Sequence, residues 1–364
     1  MKLRPGIVLA HRWASLLAAL FWLLQTATGT FAVFHWEIDD AMVAGASRPL
    51  DLAAIEHRAA ELAAPGSGRH VDSIWSTAGV PNRFDIFLEA TPPDRGRVVR
   101  VDGAGTVLRT RSDGERIAAG GLVDSVVLLH QTLLAGDAGK WIVGASGLLL
   151  LGNLAFGAVL AWPRPGQWGR ALRPAGAQAG PARLYAWHRA LGLWAMLPAA
   201  CLVAAGVLLA FETTTERLVA ASPVDPPAFA TPAGSAPVIG MAEAVQIALA
   251  RFPGAALSGI GFPSTASSLW SVRLRQADEL RRAYGKTRVY VSAVDGRVVA
   301  EFDALASTAG RRLMDSLFSF HTGEMAGLPG RIAVAGIGIW LVTMTVLGLR
   351  LWSARRRLRR GRSH

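Results

Sequence analysis

The chain has one cysteine, Cys201, in 364 residues. A lone thiol closes no internal disulfide, so any domain facing an oxidising compartment must hold together by packing. Acidic residues are missing from both ends and from the middle: all 26 lie within residues 35–138 and 212–330. Familiar enzyme motifs are missing too. No Gly-x-Gly-x-x-Gly follows a strand, which leaves NADPH or flavin binding within the chain unsupported. Gly136-Asp-Ala-Gly139-Lys140-Trp141 has the wrong spacing for a phosphate loop and lacks its Ser or Thr. There is no Ser/His/Asp or zinc-protease signature, and no Cys or His cluster spaced for a four-ligand zinc site.

What the chain does have is apolar length. Hydrophobic residues make up 51% of it and concentrate in four runs, Trp13 to Phe34, Trp141 to Trp162, Leu191 to Phe211 and Ile332 to Trp352. Each is about 20 residues, enough to cross a hydrocarbon core of about 30 Å. The net charge of +12 is sharply partitioned. The acid-free regions carry Lys2, Arg4 and Arg12 first, Arg164, Arg170, Arg173 and Arg183 in the middle, and Arg355 to Arg357, Arg359, Arg360 and Arg362 last. By the positive-inside rule these regions, both termini included, are cytoplasmic and the acidic segments lie outside. The basic tail reads as an orientation anchor on anionic lipid, and no nucleic-acid partner is expected. The first apolar run is too long for a signal-peptide core and its pattern recurs in the third, so it is retained.

That recurrence is extensive. His11-Arg12 opens the first span and His188-Arg189 the third, with glycine at plus 18 (Gly29, Gly206) and phenylalanine at plus 23 (Phe34, Phe211) from each histidine. Asp124 to His130 and Asp315 to His321 precede the second and fourth spans. After each of these histidines come Ala135 or Ala326 at plus 5, Gly136 or Gly327 at plus 6, Gly139 or Gly330 at plus 9, Lys140 or Arg331 at plus 10, and Gly157 or Gly348 at plus 27. An even number of spans per half makes the repeat parallel. The repeated glycines serve close helix approach or a flat ligand laid against backbone. The outer segments repeat as well: a helix (Leu52 to Ala63; Met241 to Arg251), strand-like runs and a hairpin with an Asp-Gly turn at Asp102-Gly103 and Asp295-Gly296.

The expected fold is therefore a membrane protein, mainly α, with α+β periplasmic domains. Its parts are residues 1–34 (N-terminus and first span), 35–138 (periplasmic domain 1), 139–162 (second span), 163–187 (cytoplasmic loop), 188–211 (third span), 212–330 (periplasmic domain 2), 331–353 (fourth span) and 354–364 (basic tail).

The chain resembles the PepSY-associated transmembrane helix family. The resemblance is carried by the His11-Arg12 and Trp187-His188-Arg189-Ala-Leu-Gly192-Leu-Trp194 helix starts, the two Val-Asp-Gly hairpins, His130-Gln-Thr-Leu-Leu-Ala-Gly136-Asp-Ala-Gly139-Lys-Trp141, Trp162-Pro163-Arg164, and His321-Thr-Gly323-Glu-Met-Ala-Gly327-Leu-Pro329-Gly330-Arg331. It implies that each outer segment is a PepSY-like domain, and it points to the inner-membrane ferric siderophore reductases among such proteins. One departure is Ser15, which stands where the third span has Gly192.

Four of the eight histidines occupy the matched positions at helix ends. A twofold-like axis would bring His11 towards His188 and His130 towards His321, one ligand per helix, as in cofactor sites between facing helices. Two opposed imidazoles suit a six-coordinate haem, so two haem b groups are expected, with Arg12, Arg189, Lys140 and Arg331 pairing with propionates. Electrons would then pass from a cytoplasmic reductant or quinol to an Fe(III) chelate, and the resemblance alone supplies the siderophore. The competing reading is non-enzymatic: a membrane-anchored PepSY module that binds a periplasmic protein or peptide, with structural histidines. His35 reads as an interfacial residue, His57 and His70 as solvent-facing, Asp124 and Asp315 as helix caps, and Trp22 and Trp194 as neighbours of a haem.

Overall fold

A computed structural model describes residues 3–90, 95–112, 121–174, 180–224, 229, 238–264, 267–280 and 283–360. The chain runs α1 (Leu3–Ala32), α2 (His35–Ala41), α3 (Leu52–Leu62), β1 (Arg69–Ser76), β2 (Arg83–Ala90), β3 (Arg97–Asp102), β4 (Val107–Ser112), α4 (Leu122–Thr132) and α5 (Gly136–Ala161). After the short α6 (Trp168–Ala171) come α7 (Pro181–Ala210), α8 (Glu212–Leu218), α9 (Met241–Arg251), β5 (Ala256–Gly261), β6 (Leu269–Arg275), β7 (Thr287–Ser292), β8 (Val298–Phe302), α10 (Ala309–Thr322) and α11 (Gly327–Arg360). These elements form two compact units: residues 1–33, 126–215 and 320–364 in one, residues 34–125 and 216–319 in the other.

The first unit is built from four helices long and apolar enough to cross a membrane: α1, α5, α7 and α11. Their outward faces carry bare leucine and tryptophan, among them Leu17, Leu20, Trp141 and Leu197. Such a surface is stable only in lipid. The helices pack as a ring in which α1 touches α5 and α11, and α7 touches the same two. α1 and α7 thus stand at opposite corners.

The small residues repeated after His130 and His321 shape the entry to α5 and α11. Gly136 and Gly327 take positive φ (56° and 64°) where α5 and α11 begin, after the preceding helices have ended at Leu133 and Leu134 (53° and 57°) and at Gly323 (79°). A Cβ on Gly139 would lie 1.6 Å from the Thr132 carbonyl oxygen, and one on Gly330 would lie 2.3 Å from that of Gly323. Both glycines therefore stand nine residues after a histidine because the backbone two residues past that histidine passes against them.

The second unit is one eight-stranded antiparallel sheet in the order β4-β3-β2-β1-β5-β6-β7-β8. Sequence patterning gives each outer segment its own helix and sheet; in the structure the two sheets join. β1 pairs with β5 through Ser73 and Gly261, Ile74 and Ile260, and Trp75 and Gly259. Separate sheets would leave β1 and β5 as bare edges with unpaired N–H and C=O groups, and the junction satisfies both. A single core spans the seam, with Ile55, Ile86, Val99 and Val101 from one half and Met241, Val245, Val272 and Val289 from the other.

A carboxylate fastens the two halves across that core. Glu56, on α3, accepts the backbone N–H groups of Met241 (2.6 Å) and Ala242 (3.2 Å) at the start of α9. It supplies from another helix the cap that Gly240 cannot provide, where the positive end of the helix dipole favours an anion. Glu56→Ala is expected to lower unfolding stability by about 1 kcal/mol. Chemical denaturation of the detergent-solubilised chain measures this, and an unchanged midpoint would show that the cap contributes nothing.

The hairpins depart from the Asp-Gly expectation in the first half. Gly296 has positive φ (73°) as expected, but between β3 and β4 the left-handed residue is Gly105 (72°), not Gly103. Asp102 Oδ1 accepts the N–H groups of Ala104 and Thr106 and so lengthens the turn. Gly103 is required for another reason: its Cβ would lie 2.3 Å from the Arg48 carbonyl oxygen.

On the other face of β2 and β3 lies a buried charge network. Arg100 donates to both oxygens of Asp85 (2.8 and 2.7 Å) and also pairs with Asp39 (2.7 Å) and Asp40 (3.1 Å). Arg83 bonds Asp40 and Arg109 bonds Asp39. The second half holds none of these charges at matching ladder positions: Ser271 opposite Tyr290 stands where Asp85 opposes Arg100.

Candidate functional site

The membrane unit brings the four repeated histidines together as two pairs. The ring centres of His11 and His188 are 6.4 Å apart at 61°, and those of His130 and His321 are 6.2 Å apart at 20°. The first pair bridges the opposite corners α1 and α7, and the second joins the C-terminal turns of α4 and α10.

Each imidazole lies against one of the repeated glycines. A Cβ on Gly29 would come within 2.6 Å of His130, on Gly206 within 2.8 Å of His321, on Gly157 within 3.3 Å of His11, and on Gly348 within 3.6 Å of His188. The plus-18 and plus-27 glycines are therefore cradles for histidine rings.

The cradle sets the ring's hydrogen bond as well. His130 Nδ1 lies 2.9 Å from the Gln25 carbonyl oxygen, His321 Nδ1 2.9 Å from that of Leu202, and His11 Nδ1 3.1 Å from that of Asn153. Each of these carbonyls sits four residues before the cradling glycine, on the same helical face. An Nδ1–H donated to backbone fixes the tautomer and leaves Nε2 with its lone pair available to a metal.

His188 varies the theme. Its ring faces the Met344 carbonyl, again four residues before the glycine, in a looser geometry than the other three. In the first half Ser15 accepts a bond from Asn153 Nδ2 (3.0 Å), whereas in the second half Gly192 faces the methyl end of Met344. The Ser15 departure is one side of a paired exchange beside the imidazole, Ser–Asn for Gly–Met.

The His11 and His188 pair opens on a cavity of about 520 Å³ whose wall includes both histidines, Gly157, Gly348, Trp22, Trp340, Arg12 and Arg189. The Nε of Arg12 is buried without a hydrogen-bond partner, while that of Arg189 donates to the Ala161 carbonyl (3.0 Å). Trp22 thus lies near the first pair as expected; Trp194 does not line this cavity, and its indole N–H bonds the Leu172 carbonyl. The other two predicted cations are engaged differently. Lys140 reaches Glu212 (3.5 Å), and Arg331 donates to the Val33 carbonyl (2.7 Å) at the C-terminal end of α1.

The arrangement has a definite coordination capacity. An imidazole nitrogen sits about 2 Å from a first-row metal ion with its ring centre about 1 Å further back, so two rings sharing an ion have centres about 6 Å apart. Both pairs have that separation. Among the described residues no three His, Cys, Asp or Glu side chains group to hold a metal ion. An ion here would take two ligands from the protein and the rest from elsewhere.

A family model, PepSY-associated TM region, matches residues 8–355. The chain belongs to this family. No curated protein matches closely enough to add a named relative. The match covers all four spans and the sheet, so this PepSY-associated TM protein is a multi-pass membrane protein with an α+β domain. The other described histidines of the family member, His35, His57 and His70, lie outside the pairs. His35 opens α2 with its ring 4.3 Å from Trp36, and His57 and His70 are exposed beside Glu61 and Glu89. Asp315 is no cap: it lies inside α10 and pairs with Arg311 and Lys286. Asp124, in the first turn of α4, pairs with Arg111 (2.6 Å).

Proposed function

We propose that this chain is an electron-transfer protein of the bacterial inner membrane. It would hold two haem b groups, one per histidine pair, and reduce a ferric siderophore in the periplasm so that iron is released as Fe(II). The observation that carries the reading is the doubled site: two histidine pairs, each with ring centres at ligation distance and each ring seated on a glycine. When bound, haem supplies one-electron chemistry, and reduction loosens a hydroxamate or catecholate chelate because hard oxygen donors favour Fe(III).

The chain's own residues would do the positioning. His11, His188, His130 and His321 offer Nε2; the carbonyls of Asn153, Gln25 and Leu202 hold three of the rings; and Arg12 and Arg189 are placed to neutralise carboxylates beside the first pair. The arginine-rich ends and connector support a cytoplasmic location for both termini, with His11 and His188 towards the electron donor. A parallel repeat would give one site near each membrane face.

An optical spectrum of the purified chain tests this. The expected result is a Soret band with paired α and β bands on reduction, about two haems per chain, and activity towards ferric siderophores. His130→Ala and His321→Ala are each expected to remove about one haem. A chain with no Soret band is instead a membrane-anchored PepSY module that binds a periplasmic protein or peptide.

A further inference from the structure

The cavity beside His11 and His188 has more positive charge than a resident cofactor needs. Arg12 and Arg189, each adjacent in sequence to a histidine of the pair, are half-buried at depth. Arg4, Arg355, Arg356 and Arg359 also line the cavity, from α1 and α11, and are exposed. Among the described residues no carboxylate lines it. Two of the outer arginines are held over aromatic rings: Arg355 is 5.6 Å from the Tyr185 ring centre and Arg356 is 5.3 Å from that of Trp352. These contacts fix guanidinium groups in place without neutralising them.

Their height along the helix bears on what they meet. The apolar run of α11 ends at Trp352. At a rise of about 1.5 Å per residue, Arg355 and Arg356 stand about 5–6 Å beyond it. The polar headgroup layer is about 5–7 Å deep. The rim therefore reaches the outer part of the headgroup layer, next to water, where a cleft lined by one sign of charge concentrates ligands of the opposite sign.

We propose that this arginine rim docks a negatively charged, water-borne reductant. The inner arginines serve the resident group and the outer ones the visitor, an assignment that rests on the electron-transfer reading. A neutral quinol entering from lipid would gain nothing from charges placed there.

The probe is anthraquinone-2,6-disulfonate, a dianion, with menadione as the neutral comparison. Binding to the full chain in zwitterionic nanodiscs is followed by equilibrium dialysis. The dianion is expected to bind at least about tenfold more tightly than menadione at low salt. That preference should collapse at high salt and in Arg355→Gln/Arg356→Gln, and return in Arg355→Lys/Arg356→Lys. Equal binding of the two probes, or a preference untouched by the glutamines, overturns the proposal. So does its loss when phosphatidylglycerol is added to the nanodisc, since the rim then belongs to lipid headgroups. A missing Soret band with dianion binding intact would sink the electron-transfer reading and spare the anion site.

Discussion

On the proposed electron-transfer reading, Gly29→Ala is expected to displace His130 and leave about one haem per chain instead of two. A single added methyl would sit 2.6 Å from His130 Cε1, well inside van der Waals contact. Helix propensity works the other way, since alanine in a helix interior is favoured over glycine by about 1 kcal/mol. A stable fold with a lost site is therefore the diagnostic outcome. The four cradles also predict a graded series. Gly206→Ala, at 2.8 Å from His321, should behave like Gly29→Ala; Gly157→Ala, at 3.3 Å from His11, should weaken its site; and Gly348→Ala, at 3.6 Å from His188, should be tolerated. Haem-to-protein ratios from pyridine haemochrome spectra measure the series. If all four variants keep two haems, the glycines serve helix packing alone and the cradle account is wrong.

Arg100→Met is expected to destabilise the sheet unit by about 3–5 kcal/mol, because it strips buried Asp85 of its cation while Asp39 and Asp40 keep Arg109 and Arg83. Burial alone would lower the Arg100 guanidinium pKa, but the hydrogen bond and charge of Asp85 with the charges of Asp39 and Asp40 raise it above its ordinary value. The second half shows that such a half-sheet forms without these charges at the matching ladder positions. Arg100→Tyr/Asp85→Ser imports its Tyr290 and Ser271 pair and should recover part of the loss, since one buried carboxylate leaves with the cation. A double-mutant cycle by chemical denaturation separates the terms.

The network also sets the acid response. Burial pushes the Asp39 carboxyl up, but the Arg109 hydrogen bond and the charges of Arg100 and Arg109 outweigh it and hold the group below its ordinary value. A depressed folded-state value stabilises the fold above the unfolded carboxyl's range, about pH 4, and that contribution fades as pH falls further. Asp124 has the opposite sign, since burial outweighs Arg111 and raises its carboxyl. It opposes folding at neutral pH and ceases to do so as it protonates. Wild type should lose stability below about pH 4, and Arg100→Met should flatten that dependence. Equal acid slopes in the two proteins would remove Asp39 from the account.

Much of the membrane unit is legible in sequence because lipid imposes length and apolarity, and because a repeat exposes what each half keeps. The offsets marked the histidines that the structure pairs. They did not say what the glycines do. Plus 6 is a left-handed turn, plus 9 a backbone approach, and plus 18 and plus 27 are imidazole seats; these are contacts between distant segments that local pattern does not encode. The joined sheet was hidden for a similar reason. An edge strand such as β1 has the same alternation whether its partner is solvent or β5. The rim arginines were visible only as tail charge, because their sharing a cavity with Arg4 depends on how α1 and α11 pack.

The β1–β5 seam gives this protein an order of assembly. Ile74 pairs with Ile260, so the first outer segment leaves the ribosome long before its partner strand exists. At about 5–20 residues per second the wait is on the order of 10–40 s. Throughout it β1 is an open template beside a half-built core, and two more spans must insert before it closes. Biogenesis is thus the stage at which the chain is most exposed to mispairing and proteolysis, and a chaperone that shields a single strand edge would protect it most.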